Sequence, residues 1–202
     1  MNLLSLWGLL ALLLVSIPVT AESGKLSLAY PVKDIILDGD LEDWPDEAIR
    51  YPIRNREDGV PLRGRNDFKG YFHIGYNETD NALYIGVEIL DDSIVRLGRD
   101  GDEWNRRDGI ELYLFGHKPG QNVPTQYRIW GDDRGTYGPG SFADVQAEVR
   151  WDSAGVVYEW RIDMESASDG TVQLRPDTEL GFDVGYWDRD MDGSHTWIAW
   201  SK

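Results

Sequence analysis

The sequence contains no cysteine, so neither disulfide bonds nor thiolate metal ligands hold its fold together. A secreted domain of this size does not need them. Only three histidines are present, His73, His117 and His195. They lie far apart and form neither a triad-like phrase nor a zinc-binding pattern. No glycine-rich phosphate loop occurs, and no segment shows a long helical period. Positive charge is scarce: 20 Lys and Arg face 36 Asp and Glu, for a formal net charge of −16. Such a surface repels phosphate backbones, which argues against a nucleic-acid partner and favours cations and neutral ligands.

Aromatic rings are plentiful, with 9 Trp and 10 Tyr among 202 residues. A core absorbs several of them, and this number also points to rings on the surface for recognition. Within residues 1–21, Leu3 to Val15 is almost wholly apolar, and Val19-Thr-Ala21 places small residues where a signal peptidase cuts. The segment reads as a secretory signal, with an uncleaved anchor as the alternative. The run is short for a bilayer span, and no other membrane segment is expected. Without a following cysteine, lipoprotein-type lipidation is excluded. The expected location is therefore secreted or periplasmic, with residues 22–202 as one domain large enough for a full core.

That domain reads as strands of period two. Ile110, Leu112 and Leu114 share one face and Glu111, Tyr113 and Phe115 the other. Val145, Ala147, Val149 and Trp151 repeat the pattern, as do Tyr158, Trp160, Ile162 and Met164, and then Leu180, Phe182, Val184 and Tyr186. Turn chemistry separates the runs at residues 77–81, 118–122, 131–135, 138–140 and 152–155. A short helical turn is expected within residues 42–49, and a polar surface loop over residues 51–66. The expected fold is all-β, an antiparallel β-sandwich or jelly roll.

Four phrases join strands to carboxylates or tryptophan: Ile36-Leu-Asp-Gly-Asp-Leu-Glu-Asp-Trp44-Pro45, Asn81-Ala-Leu-Tyr-Ile-Gly-Val-Glu-Ile-Leu-Asp-Asp92, Trp104-Asn-Arg-Arg-Asp-Gly-Ile-Glu-Leu-Tyr-Leu114 and Tyr186-Trp-Asp-Arg-Asp-Met-Asp-Gly193. Within the last, Asp188, Asp190 and Asp192 alternate before Gly193, as at the start of a calcium loop. Ala199 stands where an EF-hand would place its twelfth-position Glu, and no flanking helices are expected. The alternative is an acidic turn. Asp38, Asp40 and Asp43 form a second acidic cluster, and Asp91 with Asp92 a third.

In this order, the first three phrases resemble the family 9 carbohydrate-binding modules and their DOMON-like relatives, from about Ile35 to Trp200 and so over nearly the whole domain. The resemblance implies a β-sandwich, structural calcium at one or more of the three clusters, and sugar binding without catalysis. It also implies a sugar held between two tryptophans. Trp104 matches one of these, and Trp187 is the candidate for the other, with Trp130 and Trp197 in reserve. Glu111 and Arg128 match the polar ligands, although a plain cross-strand ion pair is the alternative. Asp188 could accept from a further hydroxyl. The partner so implied is a glycan or a mono- or oligosaccharide. A second reading is a sensor or adaptor domain of the same fold. The chain stops just past its last strand, which leaves open a larger enzyme or sensor partner. A third is a haem-binding electron-transfer domain, for which Met164 and Met191 are the available thioethers.

Overall fold

The computed structural model describes residues 24–64, 66–96 and 106–201. Residues 1–21, read above as a secretory signal, and Trp104 lie outside them. Twelve strands of the described residues form two six-stranded sheets. The first sheet is ordered β1 (Tyr30–Pro31), β4 (Phe68–Asn77), β5 (Ala82–Asp91), β10 (Gly155–Asp163) and β9 (Val145–Trp151), with β2 (Tyr51–Ile53) also on β4. The second is β3 (Asn55–Gly59), β12 (His195–Ala199), β11 (Gly181–Arg189), β6 (Gly109–Phe115), β7 (Thr125–Trp130) and β8 (Asp133–Tyr137). Every pairing is antiparallel except β1 with β4. The result is the β-sandwich expected from the period-two patterning.

The core lies between the sheets, where apolar residues from alternate strand positions meet. Phe68 and Phe72 of the first sheet approach Tyr186 and Phe182 of the second at ring separations of 5.5 and 5.6 Å. Trp160, Tyr158, Tyr186 and Phe72 are fully buried. Strand β5 is buried on both faces. Its outer side is covered by the loop from Val32 to Ala48, which forms a second cluster with Ala82 and Tyr84. Trp44 anchors that loop by lying over Gly86, where a Cβ would come within 3.0 Å of the indole. Its Nε1 donates to the buried Glu159, which also accepts from the Asp38 and Gly39 amides. The Asp-Gly-Asp phrase thus shapes a covering loop.

Three local expectations are corrected. Residues 51–66 are not all loop, because they contain β2 and β3. Ile53 is buried and Tyr51 stacks on Phe72, while β3 is an edge strand whose pairing comes from the β12 backbone. An edge strand needs no apolar face to be held. Residues 133–135, expected in a turn, belong to β8, because the hairpin from β7 closes on only Gly131 and Asp132. Residues 42–49 form two tight turns, closed by Trp44 N to Leu41 O and Ala48 N to Pro45 O, and no helix. The α-helix of the described residues is α1 (Met164–Ala167). Asp163 ends β10 and caps α1, its side chain accepting from the Ser166 amide. Met164 is fully buried there, and Met191 is 81% exposed.

Candidate functional site

Strand alternation divides the last third of the chain between two environments. On β11, Val184 and Tyr186 face the core, so Gly185 and Trp187 face outward and Asp188 turns back inward. The same parity on β6 sends Glu111 outward and aligns Asp108, just before the strand, with Ile110 on the core side. Two sites result, one on the outer face of the second sheet and one at the end of the sandwich.

The outer site is built around Glu111. Its carboxylate is only 3% exposed. Oε1 accepts from Trp187 Nε1 at 3.2 Å and Oε2 from the Tyr113 hydroxyl at 2.5 Å. Gln126 donates in turn to that hydroxyl at 3.3 Å. Burial raises the Glu111 pKa, against donation from Tyr113, Gln126 and Trp187 and the nearby Arg128 charge. Arg128 lies directly across from Glu111 in register, with its guanidinium carbon 4.1 Å from the centre of the Trp130 ring. Trp187 packs on Trp197 at 5.0 Å and on His195 at 5.6 Å.

These rings lie low over the sheet because glycines make room. A Cβ on Gly185 would come within 2.3 Å of Trp197, and one on Gly109 within 1.9 Å of Trp130. The outer face therefore carries three indoles, the Glu111 carboxylate, the Gln126 amide and the Arg128 guanidinium within adjoining strands. The structure thus brings Glu111, Arg128 and Trp187 together. It sets Asp188 on the opposite face of β11, so the expected role of Asp188 toward a sugar hydroxyl does not fit its position.

The second site gathers Asp91 from the end of β5, Asp108, and Asp188 from β11. One carboxylate oxygen of each lies within 4.8 Å of the others, and all three residues are buried. Burial, reinforced by the other carboxylates, pushes Asp91 up to about 6, Asp108 to about 8 and Asp188 to about 9. Asp108 accepts from the Val95 amide at 2.5 Å and the Arg189 amide at 2.7 Å, and Asp91 Oδ1 from the Ser93 amide at 2.7 Å. Asp91 Oδ2 is buried without a hydrogen-bond partner. Among the described residues no ion pair reaches this trio. Three buried carboxylates that repel one another fit a hard divalent cation, which takes oxygen ligands.

Asp190 joins Asp67 and Asp92 in a second, more exposed group. Asp192 goes elsewhere, pairing with Arg63 at 2.7 Å and accepting from the Ser194 amide at 2.9 Å. Hydrogen bonding from the Ser194 side chain and amide, with the Arg63 guanidinium, holds its carboxyl well below the usual range. The three aspartates of the D-x-D-x-D-G run thus serve three environments. Asp38 and Asp40 join neither acidic group: Asp38 accepts from the Asp40 amide, and Asp40 pairs with Arg150 at 2.8 Å. Sequence reasoning did not select Asp108, Asp67, Tyr113 or Gln126. For Asp108 a signal existed, because it lies two residues before Ile110 on the core-facing parity.

A groove of about 510 Å³ opens between the sheets at the far end, with Leu28, Leu83, Leu114 and Leu174 in its lining beside Tyr76 and Phe182.

Two solved structures of a family 9 carbohydrate-binding module from Caldicellulosiruptor kristjanssonii, one in complex with glucose and one with cellotriose, share this fold. Each superposes with a TM-score of 0.67 at 16% identity, covering 86% of this chain and 83% of the other. A structure from Bacteroides uniformis superposes with a TM-score of 0.57 at 13% identity, covering 89% of this chain and 90% of the other. No curated protein sequence matches. The family profile described as "Carbohydrate family 9 binding domain-like" matches residues 36–202. The chain therefore belongs to carbohydrate-binding module family 9, a family of non-catalytic binding modules.

Proposed function

We propose that this protein binds a saccharide on the outer face of its second sheet, against Trp187 and Trp197, with Glu111 and Arg128 reading the hydroxyls. The observation that carries this reading is the joint between Trp187 and Glu111. An indole N–H donates to a buried carboxylate whose other oxygen takes the Tyr113 hydroxyl, so ring and acceptor are held in fixed relation. A pyranose presents an apolar C–H face to a ring and equatorial hydroxyls to planar acceptors and donors. Membership of the family and the glucose and cellotriose complexes of the Caldicellulosiruptor module support a sugar as the ligand class. Trp104, by its resemblance to the family pattern, is the proposed second face of the clamp.

Asp91, Asp108 and Asp188 would hold one calcium ion, with Asp67, Asp92 and Asp190 as the neighbouring acidic group. A bound cation neutralises the buried charge and ties the end of β5 to β6 and β11. We assign the protein to an extracellular or periplasmic location after removal of residues 1–21. The test is tryptophan fluorescence titrated with glucose and cellotriose, with calcium and with a chelator. A saturable change that Trp187→Ala abolishes supports the site. A folded, calcium-loaded protein that responds to neither sugar would refute it.

A further inference from the structure

Two tyrosines from opposite sheets meet in the core beside the aspartate trio. Tyr186 stands on β11 two residues before Asp188, on the same inward face. It is in register with Ile110 of β6, and Asp108 lies two residues before Ile110 on the same side. The Tyr186 ring lies 5.5 Å from that of Phe68, whose register partner on β5 is Asp91. Tyr158 comes from β10, in register with Val87, on the side of β5 that carries Val87, Ile89 and Asp91. The charges of Asp108 and Asp91 act on both hydroxyls. Burial first, and then Asp108, raises both phenols well above their ordinary value, so each hydroxyl remains a donor.

Both side chains are fully buried, yet among the described residues neither hydroxyl has a hydrogen-bond partner. The two hydroxyls act on each other, short of a formed hydrogen bond. A buried hydroxyl left unpaired opposes folding. The same core uses Phe68 and Phe72 where an apolar ring suffices, and phenylalanine would fill these two places without that penalty. An acceptor in the same region is equally unmatched, because Asp91 Oδ2 is buried without a donor. Two unmatched donors and an unmatched acceptor thus share one end of the core. Tyr127 supplies the contrast. Its hydroxyl is also buried and unpartnered, but Asp144 is the charge that acts on it, and the trio is not.

We infer that Tyr158 and Tyr186 are positioning residues of the cation site, whose hydroxyls donate to oxygens of Asp91 and Asp108 that a bound divalent cation leaves free, and so fix the oxygens that face it. The inference rests on the cation reading of the trio. A carboxylate that turns one oxygen to a metal keeps further lone pairs to satisfy, and a neutral hydroxyl meets them without adding charge. Partners of this kind orient the ligands, and losing one typically weakens metal binding by about 10–100-fold. Since Tyr158 belongs to the first sheet and Tyr186 to the second, both sheets would shape the site.

Titration calorimetry with calcium chloride on the whole, chelator-treated protein tests this in wild type, Tyr158→Phe, Tyr186→Phe and Tyr127→Phe. Tyr158→Phe and Tyr186→Phe should each weaken calcium binding by about tenfold or more. Tyr127→Phe should leave it within about twofold of wild type. Thermal melts in chelator supply the second readout. There Tyr158→Phe and Tyr186→Phe should melt at or above the wild-type temperature, because each loses a hydroxyl that has no partner. Calcium affinity unchanged in both variants would overturn the inference. So would a weaker affinity accompanied by a lower melting temperature in chelator, which marks a packing role, or an equal loss of affinity in Tyr127→Phe. Wild-type protein that binds no calcium refutes the cation site itself, and this inference with it. Each tyrosine is tested separately, so one variant that fails to fold leaves the other to decide.

Discussion

Trp187 and Asp188 are neighbours in sequence and point to opposite faces of β11, so substitutions one residue apart should fail in different ways. Trp187 packs on the outer face, where it is partly exposed. Trp187→Ala should lower sugar affinity by about tenfold or more, with a stability loss well below that of a core ring, as calorimetry and urea denaturation would show. Trp160→Ala, at the centre of the core, should instead cost about 3–5 kcal/mol of stability. Asp188→Asn should act in two directions. In chelator it removes a buried carboxyl whose pKa of about 9 lies far above its unfolded value and so opposes folding at neutral pH, and the melting temperature should rise. In calcium it removes a ligand, so the calcium-induced rise in melting temperature should shrink. A paired melt of wild type and variant in each buffer reads both signs, and a variant less stable than wild type in both would count against the site.

At the scale of the element, β11 and β12 carry the outer site because Gly185 leaves room for the Trp197 ring, two residues away on the paired strand, to lie flat. Gly185→Ala would set a methyl within 2.3 Å of the Trp197 ring. The ring must then lift, so sugar affinity should fall while the strand pairing survives; fluorescence of the indoles together with a thermal melt separates the two effects. Helix α1 offers a simpler case. Asp163→Ala removes the side chain that accepts from the Ser166 amide, and should cost about 1 kcal/mol without touching sugar affinity. Strand existence was legible wherever one face was apolar, as in β6, β9, β10 and β11. It was not legible in β2, β3 and β8. Those short or polar strands are held by backbone pairing to a neighbour, which alternation of side chains does not record.

For the whole molecule, the proposed calcium ties three strands together at one end of the sandwich, so its removal should be felt globally. Chelation should lower the melting temperature by several degrees, and added calcium should restore it by mass action, measured at fixed protein concentration by calorimetry. The period-two patterning, the absence of cysteine and the net charge of −16 already implied a β-sandwich without disulfides that avoids anionic partners. The ordered phrases also implied the family and placed Glu111, Arg128 and Trp187 on one list of candidates. Sequence could not say which acidic cluster assembles. Asp91, Asp108 and Asp188 are far apart along the chain, and only the pairing of β6 with β11 and the closure of that sheet on the end of β5 bring them within reach. Asp38 and Asp40 read equally well as metal ligands, yet the loop fold commits them to Arg150 and to backbone amides. Local alternation determines which face a side chain takes, because the strand backbone enforces it residue by residue. Which carboxylates share a site depends on contacts between distant segments, and those exist only once the two sheets have closed on their core.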